Sequence, residues 1–463
     1  MSTLKVLNPY NQEVIDELPL AGFEEMEQAI ALAYQTFNDR KSWLPKHERV
    51  AILERTIAIM EERKEELTVI AAKEGGKPYK DSAVEVARAI NGVKLAIEDL
   101  SYLGGSEIPM GHTQSSANRM AFTRREPIGV VASISAFNHP LNLIIHQVIP
   151  AVIVGAPVIV KPAPTTPMSC LNFVKILYEA GLPEALCQAI VCDNDVAEKL
   201  VTDARVNFLS FIGSARVGWM LRSKVAPGTR CALEHGGAAP VVVTQHAELS
   251  KNIAGLVKGG FYHSGQVCVS VQRVFVHHTL IDQFCEQFLA AVKTLNTGDQ
   301  LDPVTDCGPI ITPREADRIE GWIKEAVAEG AELLVGGKRI SESLIEPTVL
   351  LNPSPESKVS KEEIFGPVVC LYTYEDNSEV VARCNELPYA FQASVITDHL
   401  EEALYFSQEI NATAVMVNDH TAFRVDWMPF GGRDASGLGL GGIKYSMHDM
   451  TREKLIVIKS ENL

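Results

Sequence analysis

Three polar residues stand in sequence contexts that suit chemistry at a carbonyl group. Cys268 ends the segment GQVC, in which a glycine allows the backbone to approach a reacting oxygen closely. A thiol is a potential nucleophile, although with an ordinary pKa of about 8.5 it needs help to ionise. Asn138 follows the apolar segment 129–134, and an amide at the carboxyl end of a strand can stabilise an oxyanion. Glu234 precedes a glycine pair beside apolar strand, an unusual setting for a carboxylate.

Each of these residues also has an ordinary structural interpretation. A buried cysteine commonly behaves as a small hydrophobic residue, which is our expectation for most of the nine in this chain. Glu234 fits a helix cap or a turn, and Asn138 before His139-Pro140 fits an Asx turn. No single residue therefore decides the function.

A fourth segment suits phosphate binding. The apolar segment 206–212 leads into Gly213-Ser214 and then into a predicted helix. The first N–H groups of such a helix are free to bind a pyrophosphate. The segment lacks the GxGxxG fingerprint, so the signal is weak when taken alone.

Short apolar strands alternate with helices between residues 127 and 236, which predicts a parallel sheet covered on both faces. Such sheets bind ligands at the carboxyl ends of their strands. The predicted helices are 23–38, 47–74, 81–103, 167–180 and 194–202, and the predicted strands are 129–134, 157–160 and 206–212.

A second alternating region covers about 239–435, with a strand at 272–276 and a helix at 279–295. The tail ends as a strand, 451–458, with no evident partner nearby in the sequence. A terminal strand needs an edge to pair with, and we expect a neighbouring subunit to supply it.

Composition excludes several classes of protein. The 463 residues, of which 46% are hydrophobic, carry a net charge of −16, so nucleic acid and anionic membranes are poor partners. The chain shows neither a membrane-spanning apolar run nor a secretory signal. The cysteines are scattered and odd in number, which argues against disulfides, and no CxxC pair or local His/Cys cluster predicts a metal site. We expect a cytoplasmic location.

Together these motifs resemble the aldehyde dehydrogenase superfamily over nearly the whole chain. Further matching segments are KPAP at 161–164, EIFGPV at 363–368 and PFGG at 429–432. The resemblance implies an α/β fold with three parts and a homodimer or homotetramer. These parts are a Rossmann-like nucleotide-binding domain at 1–108 and 127–236, an α/β catalytic domain at 237–439, and a small β oligomerisation element at 109–126 and 440–463.

The resemblance also implies the reaction, which is NAD- or NADP-dependent oxidation of an aldehyde to a carboxylic acid. Cys268 attacks the aldehyde carbon, while the Asn138 amide and the Cys268 backbone N–H hold the oxyanion. Hydride passes to the nicotinamide and leaves a thioester. Glu234 activates the water that hydrolyses this thioester.

Six residues match the cofactor site of the family. Lys161 corresponds to the lysine at the adenosine ribose, and Glu363 to the glutamate that holds the nicotinamide ribose. Pro164 stands where many NAD-preferring members have an acidic residue that repels a 2′-phosphate, so both NAD and NADP stay open. The set is Lys161, Ser135, Gly213, Ser214, Glu363 and Phe365.

Five residues match the aldehyde entrance of relatives: His139, Asn142, His146, Tyr262 and Arg424. This wall is polar and partly cationic, and a hydrophobic aldehyde would leave its groups unpaired at a cost of about 1–3 kcal/mol each. We therefore expect a small anionic aldehyde that bears a carboxylate, sulfonate or phosphate, such as succinate semialdehyde, sulfoacetaldehyde or a lactaldehyde-like compound.

Several alternatives stay open at this point. Arg424 has an alternative role as the partner of Asp426 or of another internal acid, and His139 and His146 have ordinary structural interpretations. An acylating relative would transfer the thioester to coenzyme A, although such enzymes typically lack the Glu234 equivalent. A non-catalytic protein with the same fold is a further alternative, but the set of candidate catalytic residues is intact.

Overall fold

The computed structural model describes residues 2–463, and its first part is mostly helical. The predicted helix at 23–38 has those bounds, whereas the predicted helix at 47–74 is two helices separated at Arg63. An antiparallel hairpin that the sequence did not predict precedes them. The elements are β1 (Thr3–Leu7), β2 (Val14–Pro19), α1 (Phe23–Asn38), α2 (Lys46–Glu62), α3 (Lys64–Gly75), α4 (Tyr79–Asp99), β3 (Glu107–Ile108) and β4 (Arg119–Pro127).

The next part alternates between strands and helices, as the sequence predicted. All five residues of its central strand are buried, which is the pattern of a strand covered on both faces. The elements are β5 (Val130–Ile134), α5 (Asn142–Val154), β6 (Val158–Lys161), α6 (Met168–Glu179), β7 (Cys187–Ala189), α7 (Asn194–Thr202), β8 (Val206–Ile212), α8 (Ala215–Arg222) and β9 (Arg230–Glu234).

A second alternating part follows after four residues. Its elements are β10 (Ala239–Val243), α9 (Leu249–Phe261), β11 (Val271–His277), α10 (Ile281–Val292), α11 (Pro313–Ala328), β12 (Glu332–Val335), β13 (Thr348–Leu351), α12 (Lys358–Lys361), β14 (Val368–Tyr374), α13 (Asn377–Asn385), β15 (Tyr389–Ala390), β16 (Gln392–Ile396), α14 (Leu400–Glu409), β17 (Ala414–Val417) and β18 (Arg433–Asp434). The chain ends with β19 (Gly437–Leu438), α15 (Ile443–Asp449) and β20 (Thr451–Lys459).

Two large sheets organise these elements. One has the order β19-β9-β8-β5-β6-β7 and is parallel except for β19. The other has the order β12-β13-β14-β11-β10-β16-β17 and is parallel except for β12. The α/β prediction is therefore confirmed, while the domain boundaries stay a prediction. The carboxyl ends of β5, β8 and β9 lead to Asn138, Gly213 and Glu234, and Cys268 precedes the amino end of β11.

The terminal strand corrects one expectation. β20 pairs along nine residues with β4 of the same chain, so the prediction that it lacks an internal partner is wrong. The partner was missed because β4 reads RMAFTRREP, and its charged residues hide the period-two pattern that identifies a half-buried strand. β3 completes a three-stranded antiparallel sheet.

Two global properties follow from the described structure. None of the helices within residues 2–463 combines the length and apolar character that a membrane span requires. All nine cysteines are free thiols.

Candidate active site

A cavity of about 940 Å³ lies between the two large sheets. Its wall includes Asn138, Glu234 and Cys268, which are far apart in the sequence. The first two come from the carboxyl edge of one sheet, and Cys268 comes from the amino edge of the other. The fold therefore brings the three predicted catalytic residues into one cavity.

The loop that carries Cys268 has an unusual backbone. His263, Ser264 and Gly265 all adopt left-handed conformations, with φ of 48°, 52° and 70°. The first two are strained for residues with a Cβ, and such strain is sustained only where the surroundings fix the backbone. A Cβ at Gly265 would lie 2.0 Å from the carbonyl oxygen of Gly366, so glycine is required there.

Gln266 anchors this loop and links it to Asn138. Its side chain is fully buried, donates from Nε2 to the Pro309 carbonyl at 3.2 Å and accepts the Ile311 N–H at 2.9 Å. Its backbone carbonyl accepts a hydrogen bond from Asn138 Nδ2 at 3.0 Å. An amide nitrogen carries two protons, so one of them stays available for an oxyanion beside Cys268.

Two of the acidic side chains in the cavity wall, Glu234 and Glu363, need glycines beside them. A Cβ at Gly441 would lie 1.9 Å from Glu234 Oε1, and a Cβ at Gly236 would lie 1.5 Å from Glu363 Oε1. The absence of a side chain at position 441 therefore makes room for the Glu234 carboxyl.

Burial governs the ionisation of the cavity groups. It raises the pKa of Cys268 to about 12, with the nearby Glu363 and Glu234 carboxyls adding to the increase and Arg424 opposing it. Burial likewise raises the pKa of Glu363 to about 8, and it raises the pKa of Glu234 against the effect of Arg424. The thiol is therefore protonated at neutral pH in the protein without ligands.

The cofactor-site residues fit a dinucleotide. Ser135 Oγ and Glu363 Oε1 are buried without a hydrogen-bond partner in the described structure, and both residues line the cavity. Gly213, Ser214 and Phe365 line it as well. Unpaired polar atoms of this kind match the hydroxyl and phosphate groups of NAD or NADP.

Lys161 and Pro164, two positions used to predict the cofactor site, differ in their relation to the cavity. Lys161 ends β6 but does not line the cavity, and burial lowers its pKa. Pro164 lies in the wall together with Thr165 and the cationic Arg216, a residue that sequence reasoning missed. The wall therefore adds a positive group and no carboxylate at position 164.

His235 is a second residue that sequence reasoning left without a role. Its Nδ1 lies 3.0 Å from the Gly213 carbonyl oxygen, to which it donates, and its ring lies between Phe211 and Trp219 at 5.7 Å from each. A Cβ at Gly218 would lie 2.0 Å from the ring. His235 thus ties the end of β9 to the predicted phosphate-binding turn.

A buried acid behind the predicted substrate wall binds an arginine and a histidine of the chain. Asp426 accepts hydrogen bonds from Arg88 Nε at 3.0 Å and Nη2 at 2.7 Å, and from His146 Nε2 at 2.8 Å. Asn142 Nδ2 lies 3.3 Å from the same carboxylate. Burial alone would raise the pKa of Asp426, but the bonds to His146 and Arg88 hold it well below its usual range. Arg88, from α4, lines the cavity and was not predicted.

Arg424 has a different environment. Its guanidinium stacks on Phe430 at 3.6 Å from the ring centre, and its Nη2 lies 3.5 Å from His146 Nδ1. No ion pair joins it to an acid in residues 2–463, and its Nε is buried without a partner. The alternative pairing of Arg424 with Asp426 is therefore not formed, because Arg88 occupies that carboxylate.

The remaining predicted substrate residues divide into two groups. His139 and Tyr262 line the cavity, with 3.4 Å between His139 Nε2 and Tyr262 Oη. His146 lies behind the wall and is buried. Burial and then Arg424 lower the pKa of His146 to about 4, so the ring is neutral, and with Nε2 donating to Asp426 its Nδ1 is an acceptor facing Arg424.

A family comparison agrees with this site. The family model described as "Aldehyde dehydrogenase family" matches residues 1–456. The chain belongs to the aldehyde dehydrogenase family, which confirms the sequence-based prediction of an NAD- or NADP-dependent oxidoreductase.

Individual relatives cover almost the full length. A 3-sulfolactaldehyde dehydrogenase from Priestia aryabhattai is 37% identical over 456 residues, which are 98% of this chain and 94% of the relative. A lactaldehyde dehydrogenase from Methanocaldococcus jannaschii is 36% identical over 460 residues, covering 98% and 97%. A glyceraldehyde-3-phosphate dehydrogenase from the same organism, solved with NADP, superposes with a TM-score of 0.94 at 36% identity and 99% coverage of both chains.

The raised pKa of Cys268 yields a pH prediction. We expect the rate of Cys268 alkylation by iodoacetamide in the ligand-free protein to rise roughly tenfold per pH unit from about pH 7 to pH 10, because the thiolate fraction grows toward the pKa without reaching a plateau. Mass spectrometry of the Cys268 peptide measures this rate. A plateau of the rate near the ordinary thiol pKa of about 8.5 would contradict the conclusion that burial raises the pKa of Cys268.

The variant Glu363→Gln, in the same alkylation assay, separates the effect of burial on the Cys268 pKa from the effect of the Glu363 charge. Because the pKa of Glu363 is about 8, its carboxyl is mostly neutral below that pH and disfavours the thiolate above it. The variant should match the wild type at low pH and react faster above about pH 8. Glu315→Gln, also in the cavity wall, is the matched control and should follow the wild type throughout.

Proposed function

We propose that this chain oxidises a small anionic aldehyde to the carboxylic acid with NAD or NADP, through a thioester on Cys268. The observation that carries the proposal is that one cavity contains the Cys268 thiol, the Asn138 amide, the Glu234 carboxyl and an Arg424 guanidinium that lacks an acidic partner. The thiol, the amide and the carboxyl carry out the reaction, and the guanidinium selects an anionic substrate.

Each protein group has one task in this reaction. The Cys268 thiol loses its proton to solvent water and its sulfur attacks the aldehyde carbon, while the second proton of the Asn138 amide and the Cys268 backbone N–H stabilise the oxyanion. The bound NAD or NADP supplies the hydride acceptor. Glu234, whose raised pKa brings it closer to neutral pH, takes a proton from the water that cleaves the thioester.

The charge of the wall supports an anionic substrate. A guanidinium buried without an acidic partner is costly, and a carboxylate, sulfonate or phosphate on the aldehyde would offset that cost. Arg424 has this free capacity, whereas Arg88 is already paired with Asp426. Among the relatives above, two are named for aldehydes that carry a sulfonate or a phosphate, while lactaldehyde is uncharged.

The cofactor preference and the location are part of the proposal. The wall around Pro164 carries Arg216 and no carboxylate at position 164, which supports acceptance of NADP as well as NAD. Parallel assays with the two cofactors measure the ratio. A cytoplasmic location is supported by the nine free thiols, since a reducing compartment preserves them.

Glu234→Gln tests the second half of the reaction. The variant keeps the shape but loses the base, so we expect the steady-state rate to fall by about 10²–10⁴-fold while one equivalent of reduced cofactor still forms in a burst. Stopped-flow absorbance and mass spectrometry of the acylated Cys268 peptide measure the two effects. Unchanged turnover would exclude Glu234 as the base, and efficient acyl-CoA formation with added coenzyme A would favour the acylating alternative.

Arg424→Leu tests the substrate class. We expect kcat/KM for an aldehyde with a carboxylate or sulfonate to fall roughly 10- to 150-fold, because a charge-assisted hydrogen bond is worth roughly 1.5–3 kcal/mol. The value for a neutral aldehyde of similar size should change much less. Arg424→Lys, which keeps the charge, is the matched control and should recover part of the loss. An equal loss on both aldehydes would reject the anionic substrate.

We further propose a homodimer or homotetramer built on the three-stranded sheet. Its outer strand β20 exposes Leu455 by 56% and Val457 by 49%, and these alternate positions lie on one face. Apolar side chains so exposed are typical of subunit interfaces. Sedimentation should give a dimer or larger, and Leu455→Glu should shift it toward the monomer, whereas Lys454→Ala on the opposite face of the strand should not. A monomeric wild type would exclude the proposal.

A further inference from the structure

A second group of polar side chains lies far from the cavity. It stands at the carboxyl edge of the seven-stranded sheet, where the neighbouring parallel strands β10 and β16 end. Cys268 lies before the amino end of β11 and His277 is the last residue of that strand, so the strand separates the two edges by about 23 Å. Changes at this edge therefore do not touch the catalytic groups.

Three residues at this edge offer metal-binding atoms to one another. They are His246, in the loop after β10, and His399 and Glu402, at the start of α14. One ligand atom from each lies within 4.8 Å of the others. His246 Nδ1 is 3.1 Å from Glu402 Oε2, and the centres of the two imidazole rings are 5.1 Å apart with their planes inclined by 28°.

Hydrogen bonds hold the group in place. The His246 carbonyl accepts the Asp398 N–H at 3.0 Å, which fixes one loop against the other. Thr397 Oγ1 donates to Glu402 Oε2 at 2.8 Å and accepts the His399 N–H at 3.1 Å. Such surrounding hydrogen bonds orient the ligands of natural metal sites and strengthen binding.

We propose that His246, His399 and Glu402 bind a divalent transition-metal ion of the zinc class. Two imidazoles and one carboxylate are a zinc ligand set, with distances of about 2.0–2.2 Å and remaining positions for water. Tetrahedral ligands at that distance lie roughly 3.4 Å apart. The two histidine side chains reach this spacing by small rotations, because both residues are exposed.

The sequence pattern explains why this site is not visible along the chain. His399 and Glu402 are three residues apart at a helix start and share one face, but His246 comes from another βα loop. Only the parallel pairing of β10 with β16 brings these loops together. The bound ion joins the two loops, and it therefore stabilises the folded chain without entering the reaction.

The proposal is tested on the full-length enzyme after removal of metals with a chelator. Calorimetric titration with Zn²⁺ should show a site whose affinity falls more than about tenfold in His246→Ala, His399→Ala and Glu402→Gln. His47→Ala is the matched control, because that side chain is 82% exposed and distant in sequence from the three proposed ligands. This variant should bind Zn²⁺ with the affinity of the wild type. Equal affinity in the wild type and the three variants would overturn the proposal.

Two further measurements separate this site from the catalytic thiol and from misfolding. The Co²⁺-loaded protein should show visible absorption bands of nitrogen and oxygen ligation without a thiolate-to-cobalt charge-transfer band, and Cys268→Ser should keep these bands. Zn²⁺ should raise the Tm of the wild type but not of His246→Ala, whose metal-free Tm and aldehyde oxidation should match the wild type. Loss of the Co²⁺ bands in Cys268→Ser, or no Tm increase in the wild type, would overturn the assignment.

Discussion

The cost of removing ionisable groups from water is the constraint on which the active site depends. The Cys268 thiol and the Glu234 and Glu363 carboxyls occupy one cavity, and burial raises the pKa of all three. Burial of this kind disfavours the charged form of each group until a ligand supplies partners. The site is therefore poised for a cofactor and a polar substrate, because their binding satisfies atoms that the protein leaves without hydrogen bonds.

Close approach of backbone to side chain makes this cavity possible. Gly236 and Gly441 leave room for the two carboxyl groups, and Gly265 allows the loop of the nucleophile to pass the Gly366 carbonyl. A side chain at any of the three positions would collide with the site or its support. Gly265 in GQVC and Gly236, two residues after Glu234, are therefore steric requirements of the chemistry as well as parts of a family motif.

A buried ionic network sets the charge of the substrate wall. Asp426 binds Arg88 and the neutral His146, and this arrangement leaves Arg424 with a stacking partner but without an acidic one. Removing one member of a buried pair typically costs about 3–5 kcal/mol, so the network fixes which cation stays available. The selectivity of the wall thus depends on Asp426, which does not line the cavity itself.

Local patterns in the sequence determined the strands and helices with strong periodicity, such as 23–38 and 206–212, and the motifs around Cys268, Glu234 and Asn138. Sequence patterns did not predict β4, because its charged residues obscure the alternation of a strand. They also gave no signal that Arg88 pairs with Asp426 or that His246 lies beside Glu402. Periodicity reports only the burial of neighbouring positions. Which distant charges meet depends on how strands pair and helices pack, and that was decided by the tertiary structure alone, because electrostatic pairing acts through space and leaves no local pattern.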